Sequence, residues 1–205
     1  MFSGIVQTCA MIKKIEKKKG LTRMTLDLAK LSRGLKKGAS VSVAGVCLTA
    51  VEMNGKNISF EAMQETLDKT TLGTARKGGK INIERSLCMG DEIGGHIVSG
   101  HVDGTATIAK IERPENNCIM TFRCPGMIRY IFQKGFIALD GVSLTVVDVD
   151  RKSGTFTVHF IPETLNATTF GSRKEGDKIN VEVDRITMAV VETVKNRGDV
   201  IKGAL

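Results

Sequence analysis

A chain of 205 residues, 41% of them hydrophobic, is long enough for two small domains of about 90 residues each and a tail. Its mean hydropathy is near zero and no apolar run approaches the roughly 20 residues that cross a bilayer, which argues against membrane-spanning helices. The 30 basic and 22 acidic residues leave a net charge of +8, but with one Tyr and no Trp there is no aromatic-basic alternation to suggest a nucleic-acid platform.

Most segments read as short strands. The basic excess comes early, in Lys13-Lys14, Lys17-Lys18-Lys19 and 33–37, and reads as a solvated rim. Leu28, Leu31 and Leu35 stand at helical spacing and predict a short helix within 27–38. Ser40-Val41-Ser42-Val43 then alternates, and 46–51 is a β-rich apolar run that stops at the turn signal Asn54-Gly55. Residues 57–60 return as the second arm of that hairpin. A last strand follows the break at Gly78-Gly79.

At mid-chain the pattern begins again. Phe2-Ser3-Gly4-Ile5-Val6 matches Val98-Ser99-Gly100-His101-Val102 at an offset of 96 residues. Gly45-Val46-Cys47-Leu48-Thr49 recurs as Gly141-Val142-Ser143-Leu144-Thr145, and Phe60 aligns with Phe156. Beyond a two-residue insertion the offset is 98, so that Glu65-Thr66-Leu67 matches Glu163-Thr164-Leu165. The second copy repeats the strands at 136–139, 142–149 and 155–160, with a turn between the last two. A repeat of this length is a domain, not a solenoid unit. Short strands joined by hairpin turns predict an all-β chain of two tandem antiparallel β-barrels, because closing each sheet removes its edges. The expected domains are 1–95, 96–185 and a tail, 186–205.

The tail has no counterpart in the first repeat. Met188, Val191 and Val194 stand at helical spacing within 186–194, and Ile201 extends the pattern past Gly198. Such a helix must bury its apolar face, either on its own barrel or on copies of itself; the second is the expectation.

The cysteines at 9, 47, 88, 118 and 124 are odd in number and form no Cys-x-x-Cys pair. The N-terminus lacks the pattern of a secretory signal, so they read as reduced cytoplasmic thiols. His96, His101 and His159 lack metal-site spacing, and no metal or other cofactor is expected. Chemistry is better sought on the repeated hairpin strand. Cys47 and Thr49 share one face, as do Ser143 and Thr145, and a small polar pair on an apolar strand suits a polar ligand. Cys47 could equally be a small buried hydrophobe. The twice-seen Glu-Thr-Leu-x-x-Thr-Thr motif is either a capped helical turn or a source of hydroxyls for a polyol. His101 stands where the first repeat has Ile5, which marks it as a candidate proton carrier.

These residues reach a known family. Met1-Phe2-Ser3-Gly4-Ile5-Val6, Gly45-Val46-Cys47-Leu48-Thr49, Asp140-Gly141-Val142-Ser143-Leu144-Thr145 and Ile161-Pro162-Glu163-Thr164 closely resemble the riboflavin synthase family. So does the central stretch from Gly94-Gly95-His96 to His101-Val102-Asp103-Gly104. The resemblance covers the whole chain. It implies two six-stranded Greek-key barrels and a C-terminal helix that assembles a homotrimer with sites between subunits. It also implies a cofactor-free transferase reaction. Two molecules of 6,7-dimethyl-8-ribityllumazine exchange a four-carbon unit, giving riboflavin and 5-amino-6-ribitylamino-uracil.

By the same resemblance the first pocket uses Cys47, Leu48, Thr49 and Glu61, Ala62, Met63, Gln64, Glu65 and Thr66. The second uses Ser143, Leu144, Thr145 and Ile161, Pro162, Glu163, Thr164, Leu165 and Asn166. Gly4, Ile5, Val6, Gly100, His101, Val102 and Lys134 complete the sites. Ser143 and His101 are the expected proton-transfer or nucleophile-activating groups, with Cys47 and Thr145 assisting. Lumazine synthase is a further expected partner. The rival expectation is an accessory protein of the same fold that holds a lumazine or flavin without turning it over.

Overall fold

The structure, a computed structural model, describes the backbone of residues 1–203 and the side chains of residues 1–197. The first repeat forms β1 (Thr8–Lys18), β2 (Leu21–Asp27), β3 (Ser40–Val43), β4 (Val46–Asn54), β5 (Asn57–Met63), α1 (Gln64–Lys69) and β6 (Lys80–Arg85). The second forms β7 (Gly104–Glu112), β8 (Cys118–Arg123), β9 (Phe136–Leu139), β10 (Val142–Asp150), β11 (Thr155–Phe160), α2 (Pro162–Ala167) and β12 (Lys178–Val183). Each set closes into a six-stranded antiparallel barrel, in the order β1-β2-β5-β4-β3-β6 and the same order shifted by six strands.

Alternation of side chains makes these strands. On β4, Val46, Leu48 and Ala50 point inward while Cys47 and Thr49 face out, and β10 does the same with Val142, Leu144 and Val146. Closure needs sharp bending. β1 and β7 shift register at Ile12/Lys14 and Ile108/Lys110, and β4 and β10 at Ala50/Glu52 and Val146/Asp148. Such bulges add local twist and turn a flat ribbon into a barrel wall. The cores differ in filling. Phe60 is the sole Phe of the first, whereas Phe122, Phe156, Phe160 and Phe170 meet in the second, the last two with ring centroids 4.7 Å apart.

Two expectations require correction, and one element was missed. The segment 27–38 is not an α-helix but one turn of 3-10 helix at Ala29–Ser32. Leu28 and Leu35 are buried and Leu31 packs on the same core, so their spacing recorded burial without helical continuity. Next, Phe60 is equivalent to Val158, not Phe156. Ala50 pairs with Phe60 and Val146 with Val158, so the two extra residues lie in the β10–β11 turn, where two loop residues become four. Finally, the long hairpin of β1 and β2 went unidentified, because its outer face is dense in lysine and hides the alternation.

The barrels meet through paired equivalents. Gly45 and Gly141 touch backbone to backbone. Asn82 Nδ2 donates to the Asp140 carbonyl (3.0 Å) and Asn180 Nδ2 to the Ala44 carbonyl (2.8 Å). Their amide oxygens accept from the backbone N–H groups of Thr169 (2.8 Å) and Thr71 (2.7 Å). Both asparagines are buried. Asn180→Leu keeps much of the volume but strands the buried Ala44 carbonyl, at roughly 1–3 kcal/mol, and the part-buried Thr71 N–H, at less. The urea midpoint should fall accordingly, and Asn82→Leu should lower it alike.

α3 (Arg185–Gly203) starts directly after β12. Asp184 caps it, accepting from Thr187 N (2.8 Å) and Thr187 Oγ1 (2.6 Å). Met188 and Val191 pack on the second core, and the Tyr130 hydroxyl donates to Glu192. The helix therefore docks on its own barrel. Its opposite face still exposes Ile186, Val190 and Val194. The expected stripe of Met188, Val191 and Val194 is divided between these faces, and the side chain of Ile201 lies outside the described residues. No described helix is long and apolar enough to cross a membrane.

Candidate functional site

Each repeat lends its lead-in segment to the other barrel. Glu84 of β6 accepts from Ser3 N (2.7 Å), Ser3 Oγ (2.7 Å) and Gly4 N (3.0 Å). Glu182 of β12 does the same for Ser99 N, Ser99 Oγ and Gly100 N. Burial pushes the Glu84 carboxyl up, and the hydrogen bonds from Ser3, Gly4 and Ile5 pull it back. Held this way, the Gly4 carbonyl accepts from Ser143 N and the Gly100 carbonyl from Cys47 N, both at 2.8 Å. Val6 packs on the second core and Val102 on the first. Glycine is required at the crossings. A Cβ on Gly100 would stand 2.6 Å from that of Cys47, one on Gly4 2.5 Å from that of Ser143, and both have positive φ.

On the first barrel this exchange makes a cleft of about 280 Å³, lined by Val46, Cys47, Glu65, Thr66, Lys69, Thr70 and by Gly100, His101 and Val102. The cleft thus unites the hairpin strand, the Glu-Thr-Leu turn and His101. Thr70 caps that turn. Its hydroxyl donates to the Thr66 carbonyl at 2.6 Å and accepts from Leu72 N at 3.3 Å, and Thr168 repeats the arrangement. These two hydroxyls are structural, whereas Thr66 is on the cleft wall. Cys47 packs beside Phe2, Val98 and Ala138, so the reading as a small hydrophobe holds as well.

Other predicted residues are placed less directly. The side chains of Leu48, Ala62 and Leu144 are in the cores, leaving only their main chain to meet a ligand. Leu165 also packs on the second core. Glu61 bonds Arg23 (2.9 Å), and Gln64 bonds Asp68 (2.7 Å). Met63, Ile5 and Ile161 are exposed hydrophobics. Thr49, Thr145, Pro162, Glu163 and Asn166 are exposed on their respective barrels. Lys134 has a positive φ of 64° where Gly38 stands in the first repeat, and its N–H donates to the Val146 carbonyl. Among the described residues no side-chain hydrogen bond or ion pair ties Lys134 to the site.

The second barrel holds a residue that sequence reasoning missed. His96 Nδ1 lies 2.6 Å from Ser143 Oγ, and the imidazole stacks on Phe136 with centroids 5.1 Å apart. The ring is buried. Desolvation holds its pKa below the ordinary imidazole value, opposed by Asp184. The first repeat offers no comparison, since the counterpart of His96 would precede Met1. A signal was present in Gly94-Gly95, because a Cβ on Gly95 would meet that of Ser143 at 2.7 Å. A neutral ring with its proton on Nε2 can accept a hydrogen bond from the Ser143 hydroxyl, the arrangement that raises the nucleophilicity of a hydroxyl oxygen. The first barrel has Ser40 in place of Phe136 and no such imidazole, so the two sites are related but unequal.

Two closed barrels, each crossed at its hairpin strand by the other repeat's lead-in segment, define a tandem-barrel protein with a small-ligand cleft on the first barrel. The chain belongs to the lumazine binding domain family, whose model matches residues 3–86 and again 99–184. It is 45% identical to riboflavin synthase of Escherichia coli (strain K12) over 198 residues, 95% of this chain and 92% of that protein. To riboflavin synthase of Chlamydia pneumoniae it is 46% identical over 197 residues, 95% and 96% of the two chains. Among solved structures it is similar to LumP complexed with 6,7-dimethyl-8-(1'-D-ribityl) lumazine (TM-score 0.81, 26% identity). It is also similar to LumP complexed with riboflavin (TM-score 0.83, 27% identity). Each covers 90% of this chain and 100% of the neighbour.

Proposed function

We propose that this chain is a riboflavin synthase, a transferase that moves a four-carbon unit between two molecules of 6,7-dimethyl-8-ribityllumazine. The products are riboflavin and 5-amino-6-ribitylamino-uracil. The observation that carries this reading is the pair of related hairpin strands on one chain, each met at Cys47 or Ser143 by the lead-in segment of the opposite repeat. A reaction between two identical molecules needs two related sites, and holding donor and acceptor in register supplies much of the rate. Cys47, Thr66 and His101 line the first site. Ser143, activated by His96, is the reactive hydroxyl of the second, with Thr145 beside it on the same face. The residues 61–66 and 161–166, with Leu48 and Leu144, offer main-chain groups to the ligand. Incubation with 6,7-dimethyl-8-ribityllumazine alone should yield flavin colour. The likeness to LumP supports a second reading, a lumazine or flavin carrier, and tight binding without turnover would select it.

The working form in this proposal is a homotrimer in the cytoplasm, with sites between subunits and lumazine synthase as a supply partner. The exposed Ile186, Val190 and Val194 of α3 support assembly, since they recur every fourth residue on the face turned away from the barrel. Placing Asp at both Val190 and Val194 should release monomers in sedimentation while both barrels stay folded.

The depressed pKa of His96 has a sign that can be checked. The neutral ring is the active form, so kcat should hold below the ordinary imidazole value and fall as pH drops through the depressed one. Stability shares part of this window. The unfolded chain binds the proton first, so stability is lost as pH falls below the unfolded imidazole pKa. His96→Gln should remove that acidic limb from the kcat profile.

A further inference from the structure

Arg185, the first residue of α3, reaches back to the first-barrel cleft. Its Nη1 donates to Asp103 Oδ1 at 2.9 Å, its Nη2 donates to the carbonyl of His101, and its Nε stands 3.9 Å from Glu182 Oε1. Asp103 is itself anchored, accepting from Val183 N through Oδ2 at 2.9 Å. The guanidinium therefore closes a bracket around His101, whose other side is fixed by Glu182 on Ser99 and Gly100. The first repeat keeps the backbone half of this arrangement and lacks the ionic half. Gln7 Oε1 accepts from Arg85 N as Asp103 does from Val183 N, but Leu87 stands where Arg185 does. Among the described residues the segment carrying Ile5 has no cation on its carbonyl. The segment carrying His101 has one.

We infer that Arg185 is a positioning residue for the first site, fixing the backbone of His101 and through it the imidazole on the cleft wall. The inference rests on the riboflavin synthase reading. It gives the C-terminal helix a role beyond assembly, because the residue that starts the helix also holds a wall of the ligand site. Loss of the bracket frees the His101 carbonyl and leaves Asp103 without its cation. A displacement on the order of 1 Å in a reacting group costs up to about a hundredfold in rate.

The test is a double-mutant cycle of Arg185→Ala and His101→Gln, read as kcat, KM and substrate affinity. Arg185→Ala should lower kcat between about ten- and a hundredfold, with the sedimenting mass unchanged and Arg185→Lys restoring part of the rate. In the His101→Gln background the same change should cost less than about twofold, since a residue acting through His101 has nothing left to position. The proton resonances of the three histidines give a readout independent of turnover. Arg185→Ala should move the line that His101→Gln deletes and leave that of His159 in place. Multiplicative losses in the cycle, or an unmoved His101 line, would overturn the inference. If Arg185→Ala does not fold, Arg185→Lys and Asp103→Asn carry the same cycle. If the wild-type chain binds the lumazine without converting it, the synthase reading fails, and the cycle in affinity together with the His101 line still decides the positioning role.

Discussion

Ser143→Ala should lower kcat by about 10²–10⁴-fold, the usual contribution of a positioned proton-transfer pair. Affinity for the lumazine should weaken by no more than about tenfold, the equivalent of one hydrogen bond of 0.5–1.5 kcal/mol. The asymmetry follows from geometry. The hydroxyl is 2.6 Å from His96 Nδ1, and its backbone N–H, not its side chain, holds Gly4. Alanine keeps that backbone bond and the Cβ, so thermal unfolding should move little. Rate and affinity measured on one preparation separate the two effects, because a group that acts in the transition state changes kcat selectively. Equal losses in both would reduce Ser143 to a binding residue and remove His96 from the mechanism.

The second large effect concerns where the two reacting molecules meet. Thr66→Trp fills the first-barrel cleft, and Thr164→Trp should fill its counterpart. These positions are better probes than Cys47 and Ser143, whose Cβ atoms already face Gly100 and Gly4 so closely that bulk there would disturb the crossing segments. If each site joins the first barrel of one subunit to the second barrel of the next, either homotrimer should be almost inactive. Refolding the two together should then restore about a quarter of the wild-type activity, the fraction of sites with two intact halves in randomly mixed cyclic trimers. Sites within a single chain would always contain one spoiled half. No recovery in trimers proven mixed by mass would rule out sharing between subunits.

The single chain bears on this choice. Its barrels are fixed side by side through Asn82, Asn180 and the Gly45/Gly141 contact. Each crossing segment bonds the hairpin strand of the opposite barrel.

Much of this was determined by sequence because it depends on local pattern. The tandem repeat, the hairpin strands with Cys47 and Thr49 on one face and Ser143 and Thr145 on the equivalent one, and the amphipathic tail all follow from spacing and alternation, whereas the structure decided that Leu48 and Leu144 point inward and that Thr70 and Thr168 cap their turns. The family motifs then gave the reaction. Tertiary structure decided what depends on segments distant in the chain. The exchange of lead-in segments brings Ser3 to Glu84 and Ser99 to Glu182, more than eighty residues away, and no periodicity records such a crossing. His96 escaped notice because comparison of repeats needs two members, and its equivalent would precede Met1. The leucines at 28, 31 and 35 were misread as helical because burial in a barrel plug and burial on a helix face can produce the same spacing. Which face of α3 is free was likewise settled only by the barrel it lies on, since Met188 and Val191 found their contacts there and left Ile186, Val190 and Val194 to the outside.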